Sequence, residues 1–357
     1  MRIVRLANFV TPRSGGLRTA LRELGTGYLA AGHEPVLIIP GDRDSDEQTG
    51  QGRVITLRGP RVPFMGGYRV LLGKRRVTGL LGGLRPDVLE VSDRTTLRWT
   101  GRWAADQKIP AVMVSHESLT ALLPEALPPA VANVLNRRTA RSYDRVICTT
   151  SWAAREFERI GAANLEHAPL GVDLDTFRPA KTSPRNHLEL VHCGRLSPEK
   201  KPDRSLTTLA TLRAQGLPVR LTMAGDGPLR QRLEKRAAAE NLPVQFAGFV
   251  SERTAVAALL ASADVVIAPG PAETFGLAAL EALACGTPVV VSAGSALPEV
   301  IGGAGASVSG EDLAQGVRDV LDRPAAERRK AARERAELFG WPAAVAAFLK
   351  VHEGIQA

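Results

Sequence analysis

The stretch Glu273-Thr-Phe-Gly-Leu-Ala-Ala-Leu-Glu281 determines how the rest of the chain is interpreted. The apolar run 263–269 before it predicts a buried strand, and 275–284 has the composition of a helix, which ends at Gly286-Thr-Pro288. The N-terminus of a helix presents free N–H groups and the positive end of its dipole, which suits a phosphate. We therefore expect a strand, a phosphate-binding loop, a helix with a carboxylate at each end, and a further strand.

The two carboxylates of this stretch, Glu273 and Glu281, are eight residues apart. On a helix that spacing places them two turns, about 12 Å, apart on roughly one face. They could then bind hydroxyl groups at the two ends of an elongated ligand whose phosphates lie between them. A nucleotide-sugar, with a hexose, a diphosphate and a ribose, has this shape.

Predicted strands alternate with predicted helices twice along the chain. The first series opens with a strand at 2–8, and the second begins after a polar segment at 180–187 that has the composition of a linker. Such alternation indicates an α/β protein with two Rossmann-like domains that face each other across a deep cleft. We expect the N-terminal domain over residues 1–180 and the C-terminal domain over residues 187–340.

Composition indicates a soluble globular protein. The chain has 357 residues, 44% of them hydrophobic, and its longest apolar runs have the length of strands rather than of membrane spans. No signal sequence is recognisable at the start, and Cys148, Cys193 and Cys285 are far apart with no CxxC pattern. These features predict a cytoplasmic protein with reduced thiols.

The net charge of +9 has more than one explanation. It can reflect an arginine-rich genomic composition, or attraction to anionic lipid or nucleic acid. Nucleic acid is disfavoured because aromatic residues make up only 4% of the chain and no nucleic-acid-binding motif is present. The polar segment 43–52 is expected to be exposed, and 69–84, with its run Lys74-Arg75-Arg76, to be an amphipathic helix. That helix fits either a solvated surface or contact with the inner face of a membrane.

Further candidate residues follow predicted strands. Gly15-Gly16 comes after the first strand, without the GxGxxG spacing of a dinucleotide site, and fits either a turn or close approach to a ligand. His116 ends the buried strand 110–115 and is either a structural histidine or one that faces a ligand. Arg195 and Lys200 follow the strand 188–194 and would neutralise a diphosphate as it binds and as it leaves.

These residues together resemble the retaining GT-B glycosyltransferases of family 4, and the resemblance spans nearly the whole chain. The subgroup most similar is the actinobacterial GDP-mannose-dependent α-mannosyltransferases that act on phosphatidylinositol mannosides and related glycolipids. The motifs that carry the resemblance are Glu273-x7-Glu281, Gly194-Arg195-Leu196 with Lys200, Gly225-Asp-Gly-Pro, Gly15-Gly16 and Gly171-Val-Asp173-x-x-x-Phe-x-Pro179.

The resemblance implies a role for each candidate. Glu273 would bind hydroxyls of the donor hexose and Glu281 the ribose, while the region of Val250 would contact the base. His116 would lie near the donor sugar, and the C-terminal helix at 341–357 would return to the N-terminal, acceptor-binding domain. The groups that would hold the diphosphate are Arg195, Lys200, the N–H groups of Phe275, Gly276 and Leu277, and the loop at Gly15-Gly16.

No catalytic nucleophile is evident in the sequence. This favours a front-face reaction in which the leaving phosphate deprotonates the acceptor, although a double displacement stays open. The DxD spacings at Asp42-Arg-Asp44 and Asp173-Leu-Asp175 lie in a polar loop and in the segment before the linker. We therefore expect that no metal or other cofactor is required, a divalent cation assisting weakly.

Other functions remain open at this stage. A transferase that uses a UDP-sugar and a small-molecule acceptor would share the motifs. A nucleotide-sugar epimerase needs more acid and base groups than His116 and Glu273 provide, and neither Lys200 nor Lys235 has the context of a pyridoxal-phosphate lysine in a phosphorylase. A non-catalytic binding protein would not be expected to retain all four of Arg195, Lys200, Glu273 and Glu281.

Overall fold

The computed structural model of the chain describes residues 1–10, 15–62, 67–116, 118–119, 129–180 and 185–356. The chain divides into two units. The first comprises Met1–Gly171 together with Trp341–Ala357, and the second comprises Val172–Gly340.

The first unit is built on an eight-stranded sheet in the order β3-β4-β2-β1-β5-β6-β7-β8. All neighbours are parallel except β3, which runs antiparallel to β4. The central strands are apolar and buried, as expected for a parallel sheet covered on both faces. The strands are β1 (Arg2–Leu6), β2 (Glu34–Gly41), β3 (Ser45–Thr49), β4 (Gly52–Arg58), β5 (Val88–Val91), β6 (Ala111–Ser115), β7 (Arg145–Cys148) and β8 (Leu165–His167).

The helices of this unit connect successive strands. They are α1 (Gly16–Ala30), α2 (Lys74–Leu84), α3 (Trp99–Asp106), α4 (Pro129–Ala140) and α5 (Ser151–Glu158).

The polar segment at 43–52 is largely exposed, as its composition predicts, and it contains a strand. It contains the edge strand β3, which pairs with β4 and is mostly exposed. Asp46 accepts hydrogen bonds from the guanidinium of Arg53 across this pair, at 2.8 and 2.6 Å. An edge strand with charged side chains has no alternating apolar pattern, because neither of its faces packs on the core.

The predicted helix over 69–84 is shorter in the structure. Helix α2 begins only at Lys74, because Gly73 before it adopts a left-handed conformation with φ of 87°. The residues just before Gly73 are not helical, with Leu71 buried and Leu72 63% exposed. The basic run Lys74-Arg75-Arg76 therefore forms the first turn of α2.

The second unit has a six-stranded parallel sheet in the order β11-β10-β9-β12-β13-β14. Its strands are β9 (Leu188–Cys193), β10 (Val219–Ala224), β11 (Val244–Gly248), β12 (Val265–Ala268), β13 (Val289–Ser292) and β14 (Gly305–Val308). Its helices are α6 (Asp203–Ala214), α7 (Arg230–Ala239), α8 (Arg253–Ser262), α9 (Leu277–Ala284), α10 (Leu297–Ile301), α11 (Ala314–Leu321) and α12 (Ala325–Glu337). The prediction of an α/β protein with two parallel-sheet domains is confirmed.

The chain changes unit earlier than the boundary at 180 that composition suggests. Residues 172–180 belong to the second unit, where Val172 N–H donates to the carbonyl of Phe339 at 2.7 Å. Phe177 is fully buried there, and its carbonyl accepts from the Arg333 guanidinium at 2.9 Å. The polar linker signal starts only after this segment, so the boundary it predicts falls nine residues too late.

The last helix, α13 (Trp341–Gly354), returns to the first unit and packs against α1. The fit is close, because a Cβ on Gly27 of α1 would lie 2.2 Å from a methyl carbon of Val345. Phe348 and His352 of the same helix are completely buried. A glycine in α1 therefore makes room for the C-terminal helix.

A buried ionic cluster joins α13 to the sheet. Arg5 of β1 donates to Glu90 of β5 at 2.9 Å, and Tyr28 of α1 donates to the same carboxylate at 2.8 Å. His352 Nε2 lies 3.2 Å from Oε2 of Glu90, the oxygen that Tyr28 also contacts, whereas Arg5 contacts Oε1. Burial alone would raise the pKa of Glu90, but the charge and the hydrogen bond of Arg5, together with the contact of His352, outweigh burial and hold it below its usual range. Glu90 is therefore an ionised carboxylate inside the core.

Candidate active site

The candidate site in the second unit is formed at the carboxyl ends of β9 and β12. These strands are parallel neighbours, so the loops that follow them emerge at the same edge of the sheet. Lys200 from the first loop and Glu273 from the second form an ion pair, although 73 residues separate them in sequence. Gly270 allows the loops this approach, since its Cβ position lies 3.2 Å from the Lys200 Cα. The two side chains are 31% and 22% exposed, so both charges are accessible to a ligand.

The loop that carries Arg195 is fixed by the glycines of the next loop. A Cβ on Gly225 would lie 1.8 Å from the Gly194 carbonyl oxygen, and one on Gly227 would lie 2.4 Å from the Leu196 carbonyl oxygen. Gly194 N–H donates to Ala224 at 2.9 Å, which extends the pairing of β9 and β10. The sequence Gly225-Asp-Gly227 therefore packs directly on the loop after β9 and places the half-buried Arg195 at the end of that strand.

The loop before α9 differs from the sequence-based expectation. Helix α9 begins at Leu277, so Glu273 lies in the loop before it and only Glu281 is on the helix. The helix cannot begin earlier, because Gly276 has a φ of 81°, which is not helical. The position also requires glycine, since a Cβ there would lie 2.1 Å from a methyl carbon of Leu297. The prediction of a helix with a carboxylate at each end was wrong in this respect.

The start of α9 still offers a phosphate-binding arrangement. The first N–H groups of a helix have no partner within it, and the helix dipole is positive at this end. The side chain of Phe275 is buried and packs edge-to-face on Phe339 with ring centroids 6.1 Å apart. This packing anchors the segment whose backbone includes Gly276 and Leu277.

Arg253 is a site residue that the sequence did not reveal. Its guanidinium lies 3.9 Å from the Glu281 carboxylate, 3.5 Å from that of Asp173, and 5.0 Å from the centre of the Phe177 ring. It is the first residue of α8, three positions after the half-buried Val250. An arginine at the start of a helix is too common to indicate a binding site. The three partners of Arg253 are also remote from it in sequence, so no local pattern connects them.

The carboxylate of Asp173 serves local structure. It accepts hydrogen bonds from the backbone N–H groups of Asp175 and Thr176 at 3.2 and 2.9 Å. Burial would raise its pKa, but the hydrogen bonds of Thr176 and the charge of Arg253 lower it. In the DxD pattern Asp173-Leu-Asp175, the first carboxylate is therefore already engaged in a turn and an ion pair.

Two thiols lie in the electrostatic field of Glu281, that of the buried Cys285 and that of the half-buried Cys193. Burial, with the charge of that carboxylate, raises the pKa of Cys193 to about 12 and that of Cys285 to about 12. Both thiols are therefore protonated at neutral pH, and neither has the thiolate character of a nucleophile.

His192, the second-to-last residue of β9, is another buried group that the sequence did not single out. It is 2% exposed, and its Nδ1 lies 3.0 Å from the hydroxyl oxygen of Ser205. Burial and the nearby charge of Lys200 lower its pKa to about 4. The imidazole is therefore neutral beneath the loop that carries the cations.

The remaining candidates belong to the first unit. Gly15 precedes the first residue of α1, Gly16, and no atom lies within 4 Å of a Cβ built on Gly15. His116 follows β6, with its Nε2 3.3 Å from the Ser92 hydroxyl. Burial lowers the pKa of His116 to about 4, against the opposing charge of Glu90, so the ring is neutral at physiological pH.

The part of the chain that the structure describes forms neither a metal site nor a membrane-spanning helix. Within those ranges, no three His, Cys, Asp or Glu side chains converge in a way that could hold a metal ion. None of the helices described here is long and apolar enough to cross a membrane.

Models of two protein families match the chain in succession. The model described as glycosyl transferase 4-like domain matches residues 15–171, and that described as glycosyl transferases group 1 matches residues 173–339. The junction between the two matches coincides with the change of unit in the structure.

A relative of nearly equal length is the GDP-mannose-dependent alpha-(1-6)-phosphatidylinositol dimannoside mannosyltransferase of Mycobacterium tuberculosis strain H37Ra. The chain is 51% identical to it over 98% of its own length and 95% of the relative's. The chain belongs to this glycosyltransferase family. It is a hexosyltransferase, as the sequence motifs predict. The glycosyltransferase is also 30% identical to a glycogen synthase of M. tuberculosis strain CDC 1551, over 95% of the chain and 91% of that protein.

Solved structures show the same fold for the glycosyltransferase. A sucrose-phosphate synthase from Thermosynechococcus elongatus has a TM-score of 0.81 at 21% identity, covering 99% of this chain and 98% of that one. The Anabaena protein HepE, in complex with UDP and glucose, has a TM-score of 0.76 at 17% identity, covering 99% of both chains. At this identity the likeness concerns the fold alone, and it confirms the GT-B class.

Proposed function

We propose that this glycosyltransferase transfers mannose from GDP-mannose to a hydroxyl group of a phosphatidylinositol mannoside, forming an α-linkage. The observation that carries the proposal is the 51% identity, over nearly the whole chain, with a relative whose name specifies that donor and a phosphatidylinositol dimannoside. The accessible Lys200–Glu273 pair supports the donor class, because it places a cation for phosphate beside a carboxylate for sugar hydroxyls.

The donor would lie along the edge of the second sheet. Arg195 and Lys200 would neutralise the diphosphate together with the N–H groups at the start of α9, and Glu273 would bind hexose hydroxyls. Glu281 would bind the ribose, with Arg253 holding its carboxylate in place from the Asp173 side. The base would lie near Val250. In the free enzyme the Lys200 charge keeps Glu273 at the site until the donor arrives.

The proposed reaction retains the configuration of the hexose. The bond between the anomeric carbon and the diphosphate oxygen breaks, the acceptor oxygen bonds to the same face, and the acceptor proton passes to the leaving phosphate. Arg195 and Lys200 would stabilise the charge that develops on that phosphate. The protonated thiols of Cys193 and Cys285 support a route without a cysteine nucleophile. His116 is neutral, so its proposed role is that of a hydrogen-bonding group rather than of a charge.

The proposal includes no required cofactor. Two fixed cations can compensate the diphosphate charge without a metal ion, and a divalent cation would assist only weakly. The enzyme would work at the inner face of the cell membrane, where a glycolipid acceptor resides, and the basic first turn of α2 supports contact with anionic lipid.

Incubation of the purified chain with a sugar nucleotide and a polar lipid extract tests the proposal. The donors to compare are GDP-mannose, UDP-glucose and UDP-N-acetylglucosamine, each with and without lipid and with and without a chelator. We expect GDP release only from GDP-mannose and only with lipid, unchanged in order of magnitude by the chelator. The new linkage should be sensitive to α-mannosidase.

Two other outcomes would replace the proposal. Turnover of a UDP-sugar on a small-molecule acceptor would assign the alternative donor. Conversion of a single sugar nucleotide into its epimer without any acceptor would assign an epimerase.

A further inference from the structure

A further buried ion pair of the first unit joins the loop after β5 to helix α5. Arg94, in that loop, donates through Nη1 to Oε2 of Glu156 at 2.7 Å, and the two side chains are 2% and 9% exposed. Removing two charges from water is costly, and the cost is offset only where each partner makes further hydrogen bonds. The groups that Arg94 and Glu156 bind therefore indicate what this pair holds in place.

The Glu156 carboxylate holds the chain just after His116. The Ser118 hydroxyl donates to its Oε1 at 2.7 Å, and the Leu119 N–H donates to its Oε2 at 3.1 Å. A carboxylate can accept these bonds and that of the guanidinium together because it has about four lone-pair positions, and its charge strengthens each of them. The segment that leaves β6 is therefore tied to α5 at the second and third residues after the histidine.

The Arg94 guanidinium holds the residue just before His116. Its Nη2 donates to the hydroxyl of Ser115, the last residue of β6, at 2.6 Å, and its Nη1 also donates to Asn136 of α4 at 3.1 Å. Its central carbon lies 4.9 Å from the centre of the Phe157 ring. A guanidinium presents its donors in one rigid plane, so contacts on several sides fix its orientation. One ion pair thus fixes the chain on both sides of the histidine.

The ring of His116 contacts the loop that carries Arg94. Its Nε2 lies 3.3 Å from the hydroxyl of Ser92, whose own N–H donates to the carbonyl of Leu6 at the end of β1 at 2.8 Å. Burial lowers the pKa of the ring to about 4, so it is neutral. In a neutral imidazole one nitrogen is a donor and the other an acceptor, so its use at a ligand depends on how the ring is oriented.

We propose that Arg94 and Glu156 are positioning residues that set the orientation of the His116 ring for the transfer reaction. They act through the segment that they hold and not by touching substrate. The inference rests on the proposed function, in which His116 is a hydrogen-bonding group. The Arg5–Glu90 pair differs, because its contacts with Tyr28 and His352 stabilise α13 instead.

Truncation of the carboxylate tests the role. Glu156→Ala removes the acceptor of the bonds after His116 and should lower kcat with GDP-mannose by about 10²-fold, the effect of misplacing a reacting group by about 1 Å, with little change in KM. The matched control, Glu158→Ala, removes the same charge from an exposed position of the same helix and should behave like wild type. Near-normal turnover of Glu156→Ala would overturn the inference.

Glu156→Gln separates position from charge. Its amide can keep these three partners, because its oxygen can accept from Arg94 and Leu119 while its nitrogen donates to the Ser118 hydroxyl. It leaves the buried Arg94 without a counter-charge, so it should lower thermal stability about as much as Glu156→Ala does. It should nevertheless restore most of kcat. Turnover that simply follows stability in the two variants would identify a structural pair and overturn the inference.

A double-mutant cycle shows whether the effect passes through His116. In a His116→Ala background, Glu156→Ala should lower kcat no further, because residues that act as a unit are not additive. Multiplied losses in the double variant would contradict the inference. Ser118→Ala removes one bond and leaves the ion pair intact, so it should give a smaller loss of kcat. It takes the place of Glu156→Ala in the cycle if that variant does not fold.

The ionisation of the His116 ring provides a readout that needs no turnover. Its NMR signal, assigned by its absence in His116→Ala, should titrate with a pKa of about 4 in wild type and in Glu158→Ala. In Glu156→Ala the segment is released and water reaches the ring, so the pKa should rise toward the ordinary 6.5. Arg5 and Glu90, the charged groups that act on this ring, are unchanged in every variant.

The titration also separates this inference from the proposed function. An unchanged pKa of His116 in Glu156→Ala would overturn the inference whatever the turnover. A wild-type protein that does not turn over GDP-mannose would contradict the proposed function instead, and the titration would still decide whether Glu156 holds the ring.

Discussion

Two carboxylate–cation pairs of this protein have the same chemistry and opposite surroundings. Arg5 and Glu90 in the first unit are each 1% exposed, whereas Lys200 and Glu273 in the second unit are 31% and 22% exposed. The first pair is enclosed by Tyr28 and His352, and the second lies in the loops that follow the carboxyl ends of β9 and β12.

The difference shows what burial does to an ion pair. A buried pair is costly to desolvate, so both partners must be compensated, and removal of one leaves a charge inside the core. An accessible pair contributes little to stability because water screens it, and its charges remain available for a ligand. The first pair is therefore structural, and the second is suited to function.

The largest effect is expected from breaking the buried pair. Arg5→Met leaves the Glu90 carboxylate without its guanidinium, and the free energy of unfolding should fall by about 3–5 kcal/mol. Urea unfolding of the purified variant measures this. Arg2→Met, which breaks the exposed pair with Glu34, is the control and should change the free energy of unfolding far less, because water screens an exposed pair. Similar losses in both variants would contradict the distinction between buried and accessible pairs.

The next effect concerns the accessible pair. Glu273→Gln should reduce kcat by about 10²–10³-fold, because the lost charge is one that the proposed transition state uses, while the free energy of unfolding changes by less than about 1 kcal/mol. Donor turnover and urea unfolding of the same sample measure the two quantities. Glu234→Gln, in an exposed pair on α7, should leave both unchanged. Near-normal turnover of Glu273→Gln would rule out the proposed role.

The smallest effect involves a group as buried as Glu90 but without an opposite charge beside it. The pKa of His192 is lowered to about 4, below the ordinary 6.5, by burial and by Lys200. As the pH falls, the unfolded chain therefore binds a proton on this histidine before the folded protein does. The free energy of unfolding is unaffected by this difference above pH 6.5 and decreases as the pH falls toward 4. Between pH 7 and pH 5, His192 should lower the free energy of unfolding by about 2 kcal/mol.

The variant His192→Asn cannot take up this proton. The loss of unfolding free energy between pH 7 and pH 5 should therefore be smaller in the variant than in wild type by that amount. Urea unfolding at the two pH values measures the difference. An identical pH dependence in both proteins would show that burial does not keep this ring neutral.

Much of the fold was predictable because a parallel α/β sheet has a simple sequence pattern. Local hydrophobic periodicity and segment length are enough to recognise the apolar strands β1, β9 and β12 and the helices that follow them. Strand β3 was missed because it is a polar edge strand with no buried face. The unit boundary was misplaced because residues 172–180 belong to the second unit through long-range contacts with Phe339 and Arg333, which no local composition reveals.

The candidate site was predictable where function follows topology. Arg195, Lys200 and Glu273 come after strands, and the carboxyl ends of parallel neighbours meet at one edge. Arg253 was missed because its partners Glu281 and Asp173 are brought to it only by folding. The exact position of Glu273 relative to α9 was also missed, since it depends on contact between Gly276 and Leu297.

The return of α13 to the first unit has a consequence for the order in which the protein is made. Residues 172–340 leave the ribosome before α13 does, so the second unit has its complete sequence while the first still lacks its last helix. Until α13 docks, the face of α1 at Gly27 is uncovered and Glu90 has no His352 beside it. Domains generally complete their cores as units once all their residues are available. The half of the protein that is synthesised first is therefore the half whose folding is finished last.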